Sequence, residues 1–309
     1  MRILVTGIAG FIGSNLAERL LKEGHTVVGI DNLSYGIREQ VPDGVEFYCA
    51  DIRSNEIRSL FSEVDVVYHL AAKNCISDCQ NDPVDTMSNN VLGTANVFEA
   101  AANAKVRKIV YAESAAIYEG SDIFPTPEEE CAPETFYGIS KLAKRHLAEG
   151  YTRYRGLSFT ALRYFNAYGP RQDYRRTIPP VMSAFIIKLL KGEQPILYGT
   201  GGKKRDFIHI DDINDFHVQC LTDARTDGET YNLGSGNPIS ISEIYIKLCT
   251  LLNLSIHPIY KENLEGEAQV TWADTRKALS IGWQPKIPID DGLKTMINYI
   301  ESEMEKGYL

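Results

Sequence analysis

The sequence predicts an α/β fold in which a doubly wound parallel sheet is followed by a smaller, mixed α/β C-terminal domain. Short β-branched runs alternate with longer helical patterns through the first half, and the rhythm changes after Gly169-Pro170. Such alternation is typical of strand–helix–strand units, which build parallel sheets with helices on both faces. The six expected strands are Ile3 to Thr6, Thr26 to Asp31, Val45 to Tyr48, Val64 to Leu70, Lys108 to Ala112 and Ser158 to Leu162.

The helices are predicted from apolar residues at helical spacing. The first contains Ile12, Leu16 and Leu20 and ends at Gly24, and others are expected over about 89–102 and around Tyr137. In the second half a strand is expected over 205–210, a capping-box helix over about 240–252 and a last amphipathic helix over 290–306. We therefore expect a first domain over 1–166, with a segment of about 206–233 returning to it, and a smaller second domain over 167–309.

The composition narrows the class of protein. A net charge of -9 and a pI near 5.3 argue against a broad basic surface for nucleic acid or anionic lipid. The six cysteines show no spacing typical of a zinc site or a disulfide framework, so we expect no metal and reduced thiols. The chain opens directly on a strand and has no apolar run approaching a membrane span, which predicts a cytoplasmic protein.

A glycine-rich turn joins the first strand to the first helix. Gly7, Gly10 and Gly13 allow a tight bend at which a diphosphate can approach the helix N-terminus. Asp31 closes the second strand, where a carboxylate can accept hydrogen bonds from an adenosine ribose and repel a 2'-phosphate. A tight turn without a ligand would explain the glycines alone, but the whole assembly indicates a Rossmann-type site for NAD rather than NADP.

Tyr137 and Lys141 lie four residues apart on a predicted helix and therefore share one face. Of the 17 tyrosines, Tyr137 is the one with a lysine at that spacing. The lysine charge can lower the pKa of the phenol, which would then take a proton from an alcohol. Ser114, on an earlier segment, supplies a hydroxyl, although a surface pair of neighbouring side chains is the alternative interpretation.

The ordered motifs of the chain resemble the extended short-chain dehydrogenase/reductase family, and within it UDP-glucose 4-epimerases. The motifs that carry the resemblance are the glycine turn, Asp31-Asn32-Leu33-Ser34, Ala50-Asp51-Ile52, His69-Leu70-Ala71-Ala72, Asn89-Asn90, Ser114-Ala115-Ala116-Ile117-Tyr118, Tyr137-x-x-x-Lys141, Arg163-Tyr164-Phe165-Asn166, Arg205-Asp206-Phe207-Ile208-His209 and Trp272-Ala273-Asp274.

The resemblance implies roles for individual residues. It implies catalysis by Ser114, Tyr137 and Lys141. The implied NAD-binding residues are Gly7, Gly10, Phe11, Ile12, Gly13, Asp31, Asn32, Ser34, Asp51, Ile52, Leu70, Ala71, Ala72, Asn90, Ala112, Tyr137, Lys141 and Tyr164. The implied nucleotide-sugar contacts are Ser114, Asn166, Tyr198, Arg205 and Thr271. A cationic cluster for the substrate diphosphate is expected from Lys203, Lys204, Arg205, Arg171, Arg175 and Arg176, of which Lys204, Arg175 and Arg176 are expected to be solvated.

The residues after Ser114 favour epimerisation among the reactions of the family. Dehydratases that resemble this chain carry an Asp-Glu pair there, and decarboxylases keep a glutamate at the position of Ala116, but this chain has Ala115 and Ala116. One base and one hydroxyl suffice for reversible oxidation at one carbon, and the resemblance to UDP-glucose 4-epimerases implies that this reaction interconverts UDP-glucose and UDP-galactose. Epimerisation at another carbon, as at C2 of a CDP-sugar, and a non-catalytic NAD sensor or scaffold remain alternatives.

The chain departs from its relatives at several substrate positions. Leu264-Glu265-Gly266-Glu267 replaces a stretch in which an arginine pairs with the diphosphate, and 73–79 replaces a sugar-facing loop. Thr271 stands where a tyrosine restricts some relatives to unsubstituted hexoses, so N-acetyl sugars are also expected to fit. Asp173 stands where an arginine is typical of glucuronate epimerases, which disfavours an acidic sugar. The resemblance further implies a homodimer.

Overall fold

A computed structural model describes residues 1–175, 179–263 and 268–309 of the chain. Its central feature is a parallel sheet, formed because β-branched runs recur between helices. The strands in chain order are β1 (Arg2–Thr6), β2 (Thr26–Asp31), β3 (Glu46–Cys49), β4 (Val66–His69), β5 (Lys108–Ser114), β6 (Ser158–Tyr164), β7 (Ala167–Tyr168), β8 (Ile196–Tyr198), β9 (Lys204–Arg205), β10 (Ile208–His209), β11 (Glu229–Leu233), β12 (Ile239–Ser240) and β13 (Ile259–Lys261). The large sheet has the order β11-β6-β5-β4-β1-β2-β3.

The predicted doubly wound sheet is confirmed, and each of the six expected strands is present within two residues of its expected ends. Every neighbouring pair in this sheet is parallel. The seventh strand, β11, pairs with β6 at one edge and lies within the segment expected to return to the first domain. The division into two domains itself stays a prediction.

Helices cover both faces of the sheet. In chain order the described helices of the protein are α1 (Phe11–Lys22), α2 (Ile76–Asn81), α3 (Pro83–Met87), α4 (Gly93–Asn103), α5 (Phe136–Arg155), α6 (Val181–Leu190), α7 (Ile210–Thr222), α8 (Ile241–Leu252), α9 (Arg276–Ser280) and α10 (Ile289–Glu305), with a π-helical segment over Ser88–Leu92 between α3 and α4. None of the helices within the described ranges has the length and apolarity that a membrane crossing requires.

Two apolar clusters, one on each face of the sheet, pack the helices against the strands. On one face Ile3 and Val5 of β1 pack with Leu16 of α1 and Phe216 of α7. On the other face Leu4 packs in a cluster that includes residues of α4 and α5. Because successive side chains of a strand point to opposite faces, a strand buried on both sides reads as the continuous apolar run seen in the sequence.

The C-terminal region is mostly helical and has a core of its own. Apolar residues of α6, α8 and α10 pack together there, and the strands beside them form two-stranded pairs, β8 with β13 and β9 with β12. The predicted capping box is confirmed, because Ser240 Oγ accepts from the Glu243 amide at 3.1 Å and Glu243 Oε2 accepts from the Ser240 amide at 2.9 Å.

The strand predicted over 205–210 is wrong. Two short strands, β9 and β10, flank Asp206, and α7 begins at Ile210. The Asp206 carboxylate is buried and accepts hydrogen bonds from the amides of Ser235, Gly236 and Ala273. Those contacts bind the segment to two distant loops, so it cannot continue as a regular strand.

Candidate active site

The candidate site lies at the carboxyl edge of the large sheet. β1 and β4 are neighbours in the middle of the sheet. After β1 the chain continues to β2 and β3 on one side of the pair, and after β4 it continues to β5 and β6 on the other side. A crevice opens at such a switch point in doubly wound folds, beyond the ends of the strands. The groove found there is bordered by the turn after β1 and by the segments that follow β2 and β4.

The turn after β1 depends on glycine at two positions. Gly7 has φ +73°, and a Cβ at this residue would lie 2.7 Å from the Ala71 amide nitrogen. A Cβ at Gly13 would overlap the carbonyl oxygen of Gly7. The turn is therefore closed tightly against the segment after β4, and α1 begins beside it with amides that can bind an anionic group.

Polar groups at the end of β2 are fixed by short hydrogen bonds. Asp31 accepts from the Ala9 amide at 3.0 Å and from the Leu33 amide at 2.8 Å, while burial raises the pKa of its carboxyl. Asn32 donates to Asp51 at 3.0 Å, and hydrogen bonds from the Arg53 side chain lower the pKa of Asp51 to about 2. Residues expected to bind NAD at the end of β2 and after β3 are thus brought together.

Most of the expected cofactor residues line this one groove. They are Gly7, Gly10, Phe11, Ile12, Gly13, Asp31, Asn32, Ser34, Ile52, Leu70, Ala71 and Ala72. Tyr35 and Ile37 also line it and were not anticipated, since nothing in their types or spacing marks them; Asn89 lines it too, and its motif had been noted without a role for this residue. The closed turn, the α1 N-terminus and the ribose-side carboxylate fit an adenine dinucleotide.

Ser114 and Tyr137 are brought together by a close approach of α5 to the turn that follows β5. Ser114 ends β5, and its Oγ accepts from the Ala116 amide at 3.2 Å. A Cβ at Gly138 would lie 2.6 Å from the Ala116 carbonyl oxygen, so only glycine lets the first turn of α5 pack there. Thr135 caps this helix by accepting from the Gly138 amide at 3.0 Å. Tyr137 is thereby held, nearly buried, beside the Ser114 turn.

Lys141 lies on the same face of α5 as Tyr137, as predicted. Its Nζ donates to the Ala112 carbonyl oxygen at 3.3 Å and lies 5.4 Å from the centre of the Tyr137 ring. Burial lowers the pKa of the Lys141 ammonium to about 8, against an opposing effect of Glu113. The lysine therefore carries its charge at neutral pH, beside the phenol whose ionisation it would favour.

Two side chains that were expected to contact the cofactor form hydrogen bonds with other residues of the protein. Asn90 is fully buried in the π-helical segment, where it exchanges hydrogen bonds with the Lys73 backbone at 2.8 and 3.0 Å and donates to Ser140 at 2.9 Å. The Tyr164 hydroxyl lies 2.8 Å from His217 Nε2. Their side chains link the site to its surroundings, and contact with the cofactor stays a prediction for both.

Three of the expected substrate residues lie together. Asn166 donates to Thr271 Oγ1 at 2.9 Å and to the Asp206 carbonyl oxygen at 3.0 Å. Arg205 is nearly buried beside them, and its guanidinium donates to the Lys204 carbonyl oxygen at 2.9 Å. Tyr198 ends β8 in the same C-terminal region, half-buried.

The cationic cluster differs from the expectation at Arg171. Its guanidinium pairs with Glu18 of α1 at 2.5 Å and donates to the Ser14 carbonyl oxygen at 3.1 Å. Arg171 therefore binds to α1. Arg175 stacks on the rings of Tyr174 and Tyr308 at 5.6 and 5.2 Å. Arg176 and the stretch 264–267 lie outside the described residues.

The part of the chain that the structure describes brings no three His, Cys, Asp or Glu side chains together as a metal site would need. All six cysteines are free thiols.

Comparison with known proteins identifies the family of this fold and site. The sequence model of the NAD dependent epimerase/dehydratase family matches residues 3–234. A solved UDP-glucose 4-epimerase from Thermotoga maritima, with UDP-glucose, is 32% identical, with a TM-score of 0.95 and coverage of 98% of this chain and 100% of that one. A UDP-N-acetylglucosamine 4-epimerase structure from Methanobrevibacter ruminantium is 26% identical, with a TM-score of 0.94 and coverage of 98% and 99%. A UDP-glucuronate 4-epimerase of Thermodesulfobacterium geofontis is 34% identical over 98% of this chain and 97% of its own length.

Proposed function

Because this chain belongs to the NAD dependent epimerase/dehydratase family and uses NAD, we propose that it is a UDP-sugar 4-epimerase that interconverts UDP-glucose and UDP-galactose. The observation that carries the proposal is the arrangement of Ser114, Tyr137 and Lys141 at the carboxyl edge of the sheet. It supplies one base, one hydroxyl and one buried cation, which is sufficient for reversible oxidation at a single carbon.

In the proposed mechanism Tyr137 takes the proton of the sugar 4-hydroxyl and later returns it. The Lys141 ammonium favours the phenolate form of Tyr137 by its charge. Ser114 Oγ is positioned to hydrogen-bond the substrate oxygen and the phenol together. NAD, held by the glycine turn and the segments after β2 and β4, would supply a hydride acceptor for the oxidation and a hydride donor for its reversal. The 4-keto sugar turns over in the pocket between the two transfers, so the product is the opposite epimer.

The acid closest to Ser114 in the chain supports epimerisation over elimination. Glu113 directly precedes Ser114, but its carboxylate accepts from Arg163 at 2.5 Å and from the Tyr111 hydroxyl at 3.0 Å. It is 1% exposed, on the interior face of the sheet. A carboxylate so placed cannot reach a sugar as the acid or base of a dehydration would.

Two residues support a neutral hexose, with N-acetyl forms as a second substrate class. Thr271 is short, and its hydroxyl is turned toward Asn166, so we expect it to leave room for a 2-acetamido group. Asp173 supplies a carboxylate where glucuronate epimerases are expected to carry an arginine, which disfavours a uronic acid. The relatives act on all three kinds of sugar, so the choice among them rests on these two residues.

A substrate panel tests the proposal. The purified protein is analysed for bound NAD and incubated, without added reductant, with UDP-glucose, UDP-galactose, UDP-N-acetylglucosamine, UDP-glucuronate and a CDP-hexose. Formation of the 4-epimer of UDP-glucose or UDP-galactose supports it. Turnover of the CDP-hexose alone would favour epimerisation at another carbon, and NAD binding without any turnover would favour a sensor or scaffold.

We also propose a cytoplasmic homodimer. Apolar side chains stand exposed on neighbouring helices, with Val84 at 79%, Ile139 at 42% and Phe136 at 40% exposure on α3 and α5. A second copy that packs on these helices would cover them. Light scattering coupled to size exclusion measures the mass directly, and a single 34.6 kDa species at micromolar concentration would contradict the dimer.

A further inference from the structure

Asp206 is a fully buried aspartate between β9 and β10, and its carboxylate is held by two other segments of the chain. Oδ1 accepts hydrogen bonds from the Ser235 amide and the Ser235 hydroxyl, at 2.6 Å each. Oδ2 accepts from the Gly236 and Ala273 amides, at 3.0 Å each. Hydrogen bonds to an ionised acceptor are stronger than those between neutral groups. The carboxylate therefore fixes its own segment against the loop after β11 and against the segment before α9.

The loop after β11 lies so close to this carboxylate that glycine is required there. A Cβ at Gly234 would lie 2.8 Å from Asp206 Oδ2 and 2.6 Å from the Cβ of Ala273. The Trp272 indole nitrogen donates to the Gly236 carbonyl oxygen at 2.9 Å, which joins the loop to the segment before α9. The three segments therefore pack directly around one carboxylate.

The backbone of Asp206 holds two residues that are expected to bind the nucleotide sugar. Its carbonyl oxygen accepts from Asn166 Nδ2 at 3.0 Å, and its amide donates to the Thr271 carbonyl oxygen at 3.0 Å. Asn166 also donates to Thr271 Oγ1 at 2.9 Å. A third expected residue, Arg205, is the neighbour of Asp206 in the chain and is nearly buried. Three residues from separate parts of the sequence therefore take their positions from Asp206.

The Asp206 side chain itself has no route to a substrate. It is excluded from solvent, and each carboxylate oxygen already accepts two hydrogen bonds from the protein. Burial raises the pKa of this carboxyl, whereas all four hydrogen bonds are donated to it and lower that pKa. Any effect of Asp206 on a bound ligand therefore passes through the residues that it holds.

We propose that Asp206 is a positioning residue that sets Asn166, Arg205 and Thr271 for binding of the nucleotide sugar. The inference rests on the proposed function, which makes a UDP-sugar the ligand of these residues. A guanidinium binds a diphosphate best when its planar donors are aimed at the phosphate oxygens, so the direction of Arg205 affects the affinity. Rigid support by a buried carboxylate at the next residue meets that requirement.

The test replaces the Asp206 carboxylate by an amide of the same shape. In Asp206→Asn one oxygen becomes an NH2 group, which cannot accept from the donors on its side. UDP is titrated into the NAD-loaded protein by calorimetry, and its Kd should rise about 10- to 100-fold, the size of one lost hydrogen bond to a charged group. KM for UDP-glucose should rise by the same factor with kcat unchanged, since binding alone is weakened. A folded Asp206→Asn with the wild-type Kd for UDP would overturn the proposal.

The matched control is Asp212→Asn. Asp212 on α7 is 2% exposed, and its carboxylate accepts from the Lys286 and Ile287 amides at 2.7 and 3.2 Å. Like Asp206, it holds a distant segment by backbone amides, but that segment carries none of the expected substrate residues. The Kd for UDP should therefore stay at the wild-type value in Asp212→Asn. A rise as large as that in Asp206→Asn would overturn the proposal, because a general loss of structure would then explain both.

Ser235→Ala provides a milder variant in case Asp206→Asn does not fold. It removes the hydrogen bond from the Ser235 hydroxyl and leaves the three from backbone amides in place. The Kd for UDP should rise roughly threefold, as expected for one of several hydrogen bonds to the carboxylate. An unchanged Kd in this folded variant, with Asp206→Asn unfolded, would also overturn the proposal.

The positioning role and the proposed function can fail separately. UDP binding requires no turnover, so the comparison of Asp206→Asn with Asp212→Asn decides the role of Asp206 even if the wild type interconverts no UDP-sugar. In that case the proposed function alone fails. If the wild type is active and Asp206→Asn has an unchanged KM, the positioning role alone fails. A wild type that binds no UDP would overturn both.

Discussion

The Lys141 ammonium nitrogen lies 5.4 Å from the centre of the Tyr137 ring, and both side chains are almost excluded from solvent. At this separation, and with little water between them, the charge of the lysine acts strongly on the phenol. The lysine itself is held by the Ala112 carbonyl at the end of β5. Sheet and helix thus fix the relative position of the two groups before any ligand binds.

Turnover should depend on the protonation of Lys141. Its pKa lies at about 8, so the side chain is charged below that pH and neutral above it. We expect kcat to fall as pH rises through this value, measured from pH 6 to 10 at saturating UDP-sugar. Lys141→Met should lose about 100-fold in kcat at pH 7, because the phenolate of Tyr137 loses the nearby positive charge that stabilises it. If Lys141→Met were as active as the wild type, turnover would not depend on the charge of Lys141.

Tyr137→Phe should lower kcat by about 100- to 10,000-fold, the usual contribution of a general base. NAD should remain bound, because the ring and the packing of α5 are unchanged. Tyr151→Phe is the matched control, since Tyr151 lies on the same helix and its hydroxyl donates to the Ala95 carbonyl at 3.2 Å. Equal turnover of the two variants would contradict the assignment of the base.

Lys144→Met should stabilise the folded protein, because burial leaves Lys144 Nζ without a hydrogen-bond partner in the described part of the chain. The unfolded chain binds a proton at Lys144 below about pH 10.5, while the folded protein does not until the pH falls to the lowered pKa. The penalty is therefore present at neutral pH and disappears as pH rises through 10.5. Denaturant unfolding at pH 7 should show a gain of about 1–3 kcal/mol, typical of removing an unsatisfied buried polar group.

The matched surface variant for that measurement is Lys188→Met, which removes an exposed pair with Glu193. Its stability should change by less than about 0.5 kcal/mol. A loss of stability in Lys144→Met larger than that of the surface variant would show that the amine has a partner and contradict its lowered pKa.

Thr271 should determine whether N-acetyl sugars are accepted. Thr271→Tyr should lower kcat/KM for UDP-N-acetylglucosamine relative to UDP-glucose by roughly tenfold or more, because the ring fills the space of the acetamido group. Thr271→Val keeps the volume but loses the hydroxyl that accepts from Asn166 and the Asp206 amide. It should therefore affect both sugars alike. Unchanged discrimination in Thr271→Tyr would place the acetamido group elsewhere.

Features that depend on only a few residues close together in the chain were predictable from the sequence. The Ser240 and Glu243 capping box involves side chains three residues apart, and its geometry is as predicted. The Tyr137 and Lys141 pair is set by helical spacing, and the glycine turn by the bend it must make. In each case the local chain alone determines the contact.

Features that depend on distant segments were not predictable. Arg163 and Glu113 are 50 residues apart and meet because β5 and β6 are neighbours. The strand expected over 205–210 is interrupted by contacts of Asp206 with the loops at 235 and 273. The burial of Lys144 follows from the way α5 lies on the sheet. A lysine on a helix is otherwise expected at the surface.

The most direct test of the account follows the hydrogen on the reacting carbon. UDP-glucose carrying deuterium at C4 is converted by the purified protein in ordinary water, and the UDP-galactose formed is analysed by mass spectrometry and NMR. Removal of that hydrogen to bound NAD and its return to the opposite face predict full retention of deuterium at C4. Its replacement by hydrogen from solvent would contradict reversible oxidation beside Tyr137.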